Sequence, residues 1–209
     1  MKSIDLTGKT AIVTGAGQGI GKATAEALHE AGANVVINYF EDPDGQNRQL
    51  AEAVVSDLGE GAMALAADVR HMDQLDHLVA KTTGSFGSLD ILFNNAGILR
   101  DRSFRKMSEL EWKDVIDTNL TGVYNTCKAS VEHISDGGSI IIMASLAAVT
   151  GFFGHANYAS AKAGVIAFTK VLSKETARRS IRVNAVAPGV VDTEMGKSIP
   201  EENRKAMLT

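Results

Sequence analysis

The chain has 209 residues and a formal net charge of −4. Its content of 44% hydrophobic and 22% charged residues excludes disordered and fibrous classes, and the acidic balance argues against a nucleic-acid surface or a basic membrane patch. The length favours one domain over residues 1–209, and the single cysteine, Cys127, excludes an internal disulfide and fits a reducing, cytoplasmic compartment. Short apolar runs then alternate with longer amphipathic segments. Residues 10–14 read as a buried strand, followed by a glycine-rich turn and a helix over 20–31. A second strand at 34–38 leads to a helix over 46–58. A third strand at 62–67 precedes a helix over 71–83, in which Met72, Leu75, Leu78 and Val79 share one face. The fourth strand, 89–93, is followed by a long helix over 109–134. A fifth strand at 139–143, a helix over 157–178 and a sixth strand at 181–186 complete the series. The most apolar stretch, residues 140–153, is interrupted by Ser145, Thr150 and Gly151 and is too short to span a bilayer. Strands that are apolar throughout, each followed by a helix, imply an α/β fold with a parallel sheet covered on both faces. Right-handed crossovers make that sheet doubly wound and place ligands at the carboxyl ends of its strands.

Two motifs carry chemistry. Residues 14–21 read Thr-Gly-Ala-Gly-Gln-Gly-Ile-Gly, between the first strand and the first helix. Gly15 permits a tight turn, Gly19 lets a pyrophosphate approach backbone N–H groups, and Gly21 lets the helix pack closely on the sheet. The helix N-terminus adds a favourable field for an anion. A glycine string by itself is weak evidence, and its place after a strand and before a helix is what gives it meaning. In Tyr158-Ala-Ser-Ala-Lys162 a phenol and an ammonium share one helix face. Three Tyr and 21 Lys and Arg in 209 residues predict about 0.3 chance occurrences of that spacing, so it is not diagnostic alone. Other polar residues stand at strand ends, however. Asn94-Asn-Ala-Gly97 closes the fourth strand, Ser145 the fifth and Pro188-Gly189 the sixth, while Asn119 lies in the long helix.

This constellation resembles the short-chain dehydrogenase/reductase family from about Lys9 onward. The segments Ala96-Gly-Ile-Leu-Arg-Asp101, His155-Ala-Asn-Tyr-Ala-Ser-Ala-Lys-Ala-Gly164 and Val183-Asn-Ala-Val-Ala-Pro-Gly189 are most similar to 3-oxoacyl-(acyl carrier protein) and acetoacetyl-CoA reductases. The resemblance implies a Rossmann-type domain and hydride transfer between NAD or NADP and a ketone or secondary alcohol, with a 3-oxoacyl thioester among the substrates expected. It implies a catalytic set of Asn119, Ser145, Tyr158 and Lys162. Tyr158 would exchange a proton with the substrate oxygen, and Ser145 would hydrogen-bond that oxygen. Lys162 would bind the nicotinamide ribose, and Asn119 would hold a relay water. Bringing a phenol from pKa 10 to about 7 takes about 4 kcal/mol, for which Lys162 and the positive nicotinamide are the expected sources. The implied cofactor contacts are Gly15, Gly17, Gln18, Gly19, Ile20 and Gly21 in the glycine turn, and Tyr39 and Phe40 after the second strand. Asp68 and Val69 follow the third strand, and Asn95, Ala96 and Gly97 the fourth. Tyr158 and Lys162 join them, with Pro188, Gly189, Val191 and Thr193 after the sixth. No metal is implied, since the five histidines lack metal-ligand spacing.

The choice between NAD and NADP stays open. Tyr39 stands where a carboxylate would hold the ribose 2′-hydroxyl, and Gln18 where NADP-dependent relatives often carry Arg. Glu41 and Asp42 tilt the electrostatics toward NAD, and the resemblance to fatty-acid reductases tilts toward NADP. Glu132, His133 and Asp136 replace the basic residues with which carrier-protein reductases meet their acidic carrier. Family members continue past the lid-like segment 192–209 with one more helix and a seventh strand. The chain stops within an expected lid helix at 200–208, so the sixth strand is expected to be an open edge unless another element covers it. A shortened relative that binds dinucleotide without turnover, and a sugar or small-alcohol dehydrogenase of the same mechanism, are the alternative readings. The expected partners are a small carbonyl, alcohol or acyl thioester and further copies of the chain, as a homodimer or homotetramer, with no nucleic acid and no membrane.

Overall fold

The computed structural model describes residues 4–197. Its strands are β1 (Thr10–Thr14), β2 (Asn34–Tyr39), β3 (Ala62–Ala66), β4 (Leu89–Asn94), β5 (Ile134–Met143) and β6 (Arg182–Val186). The helices between them are α1 (Gly19–Glu30), α2 (Gln46–Leu58), α3 (Met72–Phe86), α4 (Glu109–Ile116), α5 (Gly122–Ser130), α6 (Ala147–Thr150) and α7 (Ala156–Glu175), with α8 (Glu194–Lys197) after β6. The strands form one sheet in the order β3-β2-β1-β4-β5-β6, and every pairing is parallel. This is the doubly wound arrangement expected from the alternation of strand and helix. Because the chain turns outward from β1 to β3 and then returns to β4, a crevice opens between the carboxyl ends of β1 and β4.

The alternation of side chains along each strand builds two cores. Ile12, Val36, Leu92, Ile140 and Ile142 face the layer that holds Leu75, Leu78, Val123, Cys127 and Val165. Val13, Val35, Ile37, Phe93 and Met143 face Ala25, Ala51 and Val54 on the other side. β1 lies at the centre of the sheet and is buried at all five positions, which is why Ala11, Ile12 and Val13 follow one another without a charged residue.

Two boundaries differ from those expected by more than three residues. The helix predicted over 109–134 starts at a capping box between Ser108 and Glu111. It then loosens into an i→i+5 turn over Asp117–Thr121 before continuing as α5. Gly122 at that junction packs against the loop after β3, where a Cβ would meet Val69 Cγ2 at 2.6 Å. The helix ends at Ser130, and Ile134 instead opens β5, five residues before the expected start. Leu89 pairs with Ile134 and Ile91 with Ser139, so residues 135–138 bulge opposite Asp90, with Gly137 at φ +79°. Arg179 holds the bulge: it donates to Asp136 Oδ1 at 2.8 Å, to the Val131 carbonyl at 2.7 Å and to the Ile134 carbonyl.

Among the described residues β6 pairs only with β5, and no helix is long and apolar enough to cross a membrane. The lid helix expected at 200–208 lies outside the described residues.

Candidate active site

The turn after β1 contains two left-handed glycines, Gly15 at φ +61° and Gly19 at φ +57°. Neighbouring backbone comes very close: a Cβ on Gly15 would lie 3.0 Å from Ala96 Cα, and one on Gly21 would lie 2.5 Å from Asn95 Nδ2. That closeness lets Asn95 Nδ2 donate to the carbonyls of Thr14 at 2.9 Å and Gly15 at 3.0 Å. Thr14 Oγ1 in turn accepts from the N–H groups of Asn95 at 2.9 Å and Ala96 at 3.0 Å. The ends of β1 and β4 are thus stitched together at the crevice. Gln18 is the N-cap residue of α1 and makes no side-chain cap hydrogen bond, so its side chain leaves the first-turn N–H groups of α1 unoccupied.

Toward β3, Asn38 Nδ2 ties β2 to its neighbour through the carbonyls of Leu65 at 3.3 Å and Ala67 at 3.0 Å. Beyond them Asp68 is buried and gripped by Arg70, whose Nη2 reaches Oδ2 at 2.6 Å and whose Nε reaches both oxygens at 3.0 and 2.9 Å. Burial pushes the Asp68 carboxyl up, but the Arg70 hydrogen bonds and charge outweigh it and hold the group below the ordinary carboxylate value. The same guanidinium lies 5.6 Å from the centre of the exposed Phe40 ring, which makes a flat platform beside an ionised carboxylate. Arg48, near Tyr39, is paired with Glu41 at 2.7 Å.

At the other end of the crevice, α7 is fastened by Asn157. Its Nδ2 donates to the carbonyls of Arg100 and Glu111, both at 3.0 Å, and its Oδ1 accepts from the Tyr158 N–H at 2.8 Å. Tyr158 and Lys162, one turn apart, therefore enter the crevice from a fixed helix start. Lys162 is buried, and its Nζ donates to the Met143 carbonyl at 2.5 Å and sits 5.7 Å from the centre of the Tyr158 ring. Desolvation lowers this lysine from 10.5 to about 8. The Tyr158 phenol moves the opposite way to the expected lowering: burial pushes it above its ordinary value, a hydrogen bond with Ser145 offsets part of that, and the Asp101 charge adds to it. Desolvation of the phenol is the largest of these causes.

These groups line one cleft of about 510 Å³, a volume within the usual range for small-ligand sites. Of the catalytic and cofactor-binding residues that the resemblance implies, all but two reach its wall. Gly21 stands behind the glycine turn against Asn95. Asn119 stands behind the β4 loop, where its Oδ1 accepts from the Ile98 N–H at 2.8 Å and its Nδ2 donates to the Ile98 carbonyl at 2.9 Å. The structure also adds wall residues that the motifs did not name, among them Arg70, Leu146 and Phe152, and it places His155, the first residue of the Tyr158 segment, in the same wall. Arg70 is held against Asp68 and Phe152 against His155 within their own loops, and the Leu146 N–H donates to the Pro188 carbonyl after β6. The cleft suits a dinucleotide on its own evidence. Close-approach glycines and a helix start suit a pyrophosphate, the Phe40–Asp68 platform suits a base, and a buried lysine beside a phenol suits a ribose and a reacting carbonyl.

Comparison with known proteins gives a consistent set of relatives. The short chain dehydrogenase family matches residues 9–204. The chain is 42% identical over 206 residues to the 3-oxoacyl-(acyl-carrier-protein) reductase FabG of Staphylococcus aureus (strain Mu50), across 96% of this chain and 82% of that protein. It is 45% identical over 199 residues to the 3-oxoacyl-(acyl-carrier-protein) reductase of Synechocystis, across 94% of this chain and 80% of that protein. Among solved structures, a dehydrogenase/reductase from Sinorhizobium meliloti matches with a TM-score of 0.90 at 33% identity, covering 98% of this chain and 81% of that one. A short chain dehydrogenase from Burkholderia cenocepacia in complex with NADP matches with a TM-score of 0.83 at 34% identity, covering 91% and 77%.

Proposed function

The chain belongs to the short-chain dehydrogenase family, an NAD(P)-dependent oxidoreductase family, and on that premise we propose that it reduces a 3-oxoacyl thioester with Tyr158 as the acid. The observation that carries this reading is the half-buried Tyr158 and Ser145 beside the buried Lys162, at the far end of the cleft that begins at the glycine turn. When bound, the nicotinamide supplies the hydride that goes to the carbonyl carbon. Tyr158 gives its proton to the carbonyl oxygen as that oxygen becomes an alkoxide, and the Ser145 hydroxyl donates a hydrogen bond to the same oxygen. The raised phenol suits this direction: it stays protonated through the neutral range, as an acid must. Lys162 would hold the nicotinamide ribose. Asp68, Val69, Asn95, Ala96 and Gly97 would hold the adenosine half beside Tyr39 and Phe40. Gly15, Gly17, Gln18, Gly19 and Ile20 would cradle the pyrophosphate, with Gly21 supporting the turn from behind. Pro188, Gly189, Val191 and Thr193 would meet the nicotinamide, and Asn119 would act through the Ile98 loop it clamps.

The thioester assignment draws on the names of the relatives and on an apolar wall of Leu146, Phe152, Val191 and Met195 suited to an acyl chain. A second copy of the chain is the proposed protein partner, since α4, α5 and α7 expose Leu110, Trp112, Tyr124 and Val171. The continuous sheet supports reading residues 1–209 as one domain, with the lid of 192–209 extending past the described residues. A cytoplasmic site of action belongs to the same proposal, supported by the free, buried Cys127.

The test is a turnover screen with NADH and NADPH against 3-oxoacyl thioesters, sugars and simple ketones. The thioesters are expected to turn over fastest. Tyr158→Phe is expected to lower kcat by at least about 10²-fold while quenching of cofactor fluorescence is preserved. Cofactor binding without reduction of any carbonyl would favour a non-catalytic binder, and a preference for sugars would favour the alcohol-dehydrogenase reading.

A further inference from the structure

Asn157 is the second residue of α7 and is fully buried, and the mechanism above gives it no part. Both hydrogens of Nδ2 go to carbonyls at 3.0 Å, one at Arg100 between β4 and α4 and one at Glu111 in the first turn of α4. Oδ1 takes the N–H of Tyr158 at 2.8 Å. These partners fix which end of the amide is which, since turning it over would set oxygen against two carbonyls and nitrogen against an N–H. Tyr158 is the third residue of the helix, where a backbone N–H has no intrahelical acceptor, so the Asn157 oxygen satisfies a group that the helix itself cannot. One side chain thus joins α4, the segment after β4 and the start of α7.

The segment it grips is held at every second residue. Asn119 clamps both backbone groups of Ile98, and Asn157 takes the Arg100 carbonyl. The Arg102 N–H donates to the Gly154 carbonyl at 2.9 Å, in the loop that leads into α7. Ile98, Leu99, Arg100 and Tyr158 all line the cleft, so Asn157 is the joint between one stretch of its wall and the phenol. The next turn of α7 has a hold of its own. Ala161 and Val165 are fully buried, and Lys162 reaches the Met143 carbonyl. The Asn157 bonds therefore govern the first turn, where Tyr158 stands, and not the second, where Lys162 stands.

We propose that Asn157 is a positioning residue for proton transfer: by holding the first turn of α7 against the wall at 98–102, it sets where the Tyr158 hydroxyl meets the substrate oxygen. This rests on Tyr158 being the acid of the reaction. None of the three partners of Asn157 lies in the glycine turn or in the segment after β6, so its effect falls on the chemical step and not on the hold on the dinucleotide. A displacement of about 1 Å between reacting groups costs on the order of 10²-fold in rate, which sets the scale of the effect.

The test pairs kinetics with fluorine NMR. Asn157→Ala is expected to lower kcat by about 10- to 100-fold and to raise the solvent deuterium isotope effect on it, while the Kd of NADH and NADPH from fluorescence quenching stays within about twofold. The chain has three tyrosines, Tyr39, Tyr124 and Tyr158, so fluorotyrosine labelling gives one resonance for each, and Tyr158→Phe identifies the third. In Asn157→Ala the Tyr158 resonance alone is expected to shift or broaden. A merely structural role would lower the melting temperature and disturb all three resonances, with kcat of the folded protein unchanged. Asn157→Asp, of the same size, keeps the acceptor for the Tyr158 N–H but cannot donate to both carbonyls. It decides the matter where the alanine variant does not fold, and its kcat is expected to fall as well. Wild-type kcat in either folded variant, or a fall in kcat matched by lost cofactor binding, would overturn the positioning role and leave the acid intact so long as Tyr158→Phe is inactive. A Tyr158→Phe enzyme that still turns over would overturn both readings.

Discussion

Lys162 costs the fold stability for the sake of the site. Its ammonium is buried, holds a single carbonyl and is lowered to about 8, against roughly 10.4 for a lysine in an unfolded chain. That difference is about 3 kcal/mol of penalty. The unfolded chain binds more protons between these two values, so stability rises with pH from about 8 to 10.4 and carries the full penalty below 8. Lys162→Met removes the charge and leaves the Met143 carbonyl without its donor, a loss of about 1 kcal/mol. At pH 7 the variant is expected to melt roughly 4 °C above wild type and to lack turnover. Calorimetry from pH 7 to 10 checks this, and the advantage should shrink as pH rises. A lower melting temperature at pH 7 would show that the lysine is not strained by burial. The residue itself was legible in the Tyr-x-x-x-Lys spacing. Its grip on Met143 was not, because that bond joins α7 to the end of β5, a strand separated from it in sequence.

The join between β1 and β4 depends on one carboxylate at the amino end of the sheet. Asp90 accepts from the Thr10 N–H at 3.0 Å, from Ser88 Oγ at 2.7 Å and from Lys9 Nζ at 3.0 Å. Burial pushes its carboxyl up, but the bonds from Ser88, Lys9 and Thr10 outweigh it and hold the group below its ordinary value. A depressed acid contributes stability that is complete above its unfolded pKa of about 3.9 and is lost as pH falls through the folded value. Asp90→Asn is expected to cost about 1–3 kcal/mol in urea unfolding at pH 7, with the difference from wild type closing toward pH 3. An equal gap at both pH values would remove the carboxylate's charge from the explanation. The same element shows where reading strands from sequence reaches its limit. Ile134 continues the apolar rhythm of the preceding helix, so the local pattern assigns it there. The strand wins because Leu89 offers it a paired edge and Arg179 binds the carbonyls of Val131, just past α5, and of Ile134 at the start of β5.

At the scale of the molecule, several large apolar side chains stand exposed on α4, α5 and α7. Leu110, Tyr124 and Val171 are 67%, 49% and 53% exposed on α4, α5 and α7, and Tyr124 packs edge-on against Phe168 across two of these helices. Such exposure is costly in water and supports the proposed self-association. The proposed assembly predicts a dimer or larger species by light scattering at micromolar concentration, and Val171→Glu is expected to release monomer. A wild-type monomer would contradict the assembly and leave the cleft chemistry unaffected.

The sequence by itself determined the order of strands and helices, the parallel sheet, the glycine turn and the placement of Tyr158 and Lys162 on one helix face. All of these follow from periodicity and from contacts within a turn or two, which the residue order encodes directly. Only the tertiary structure decided that Asn119 clamps Ile98, that Arg179 pins the β5 bulge and that His155 meets Asp101. Each of these joins segments far apart in the chain. Such pairings depend on which strands become neighbours and in what register, and no local pattern of residues carries that information.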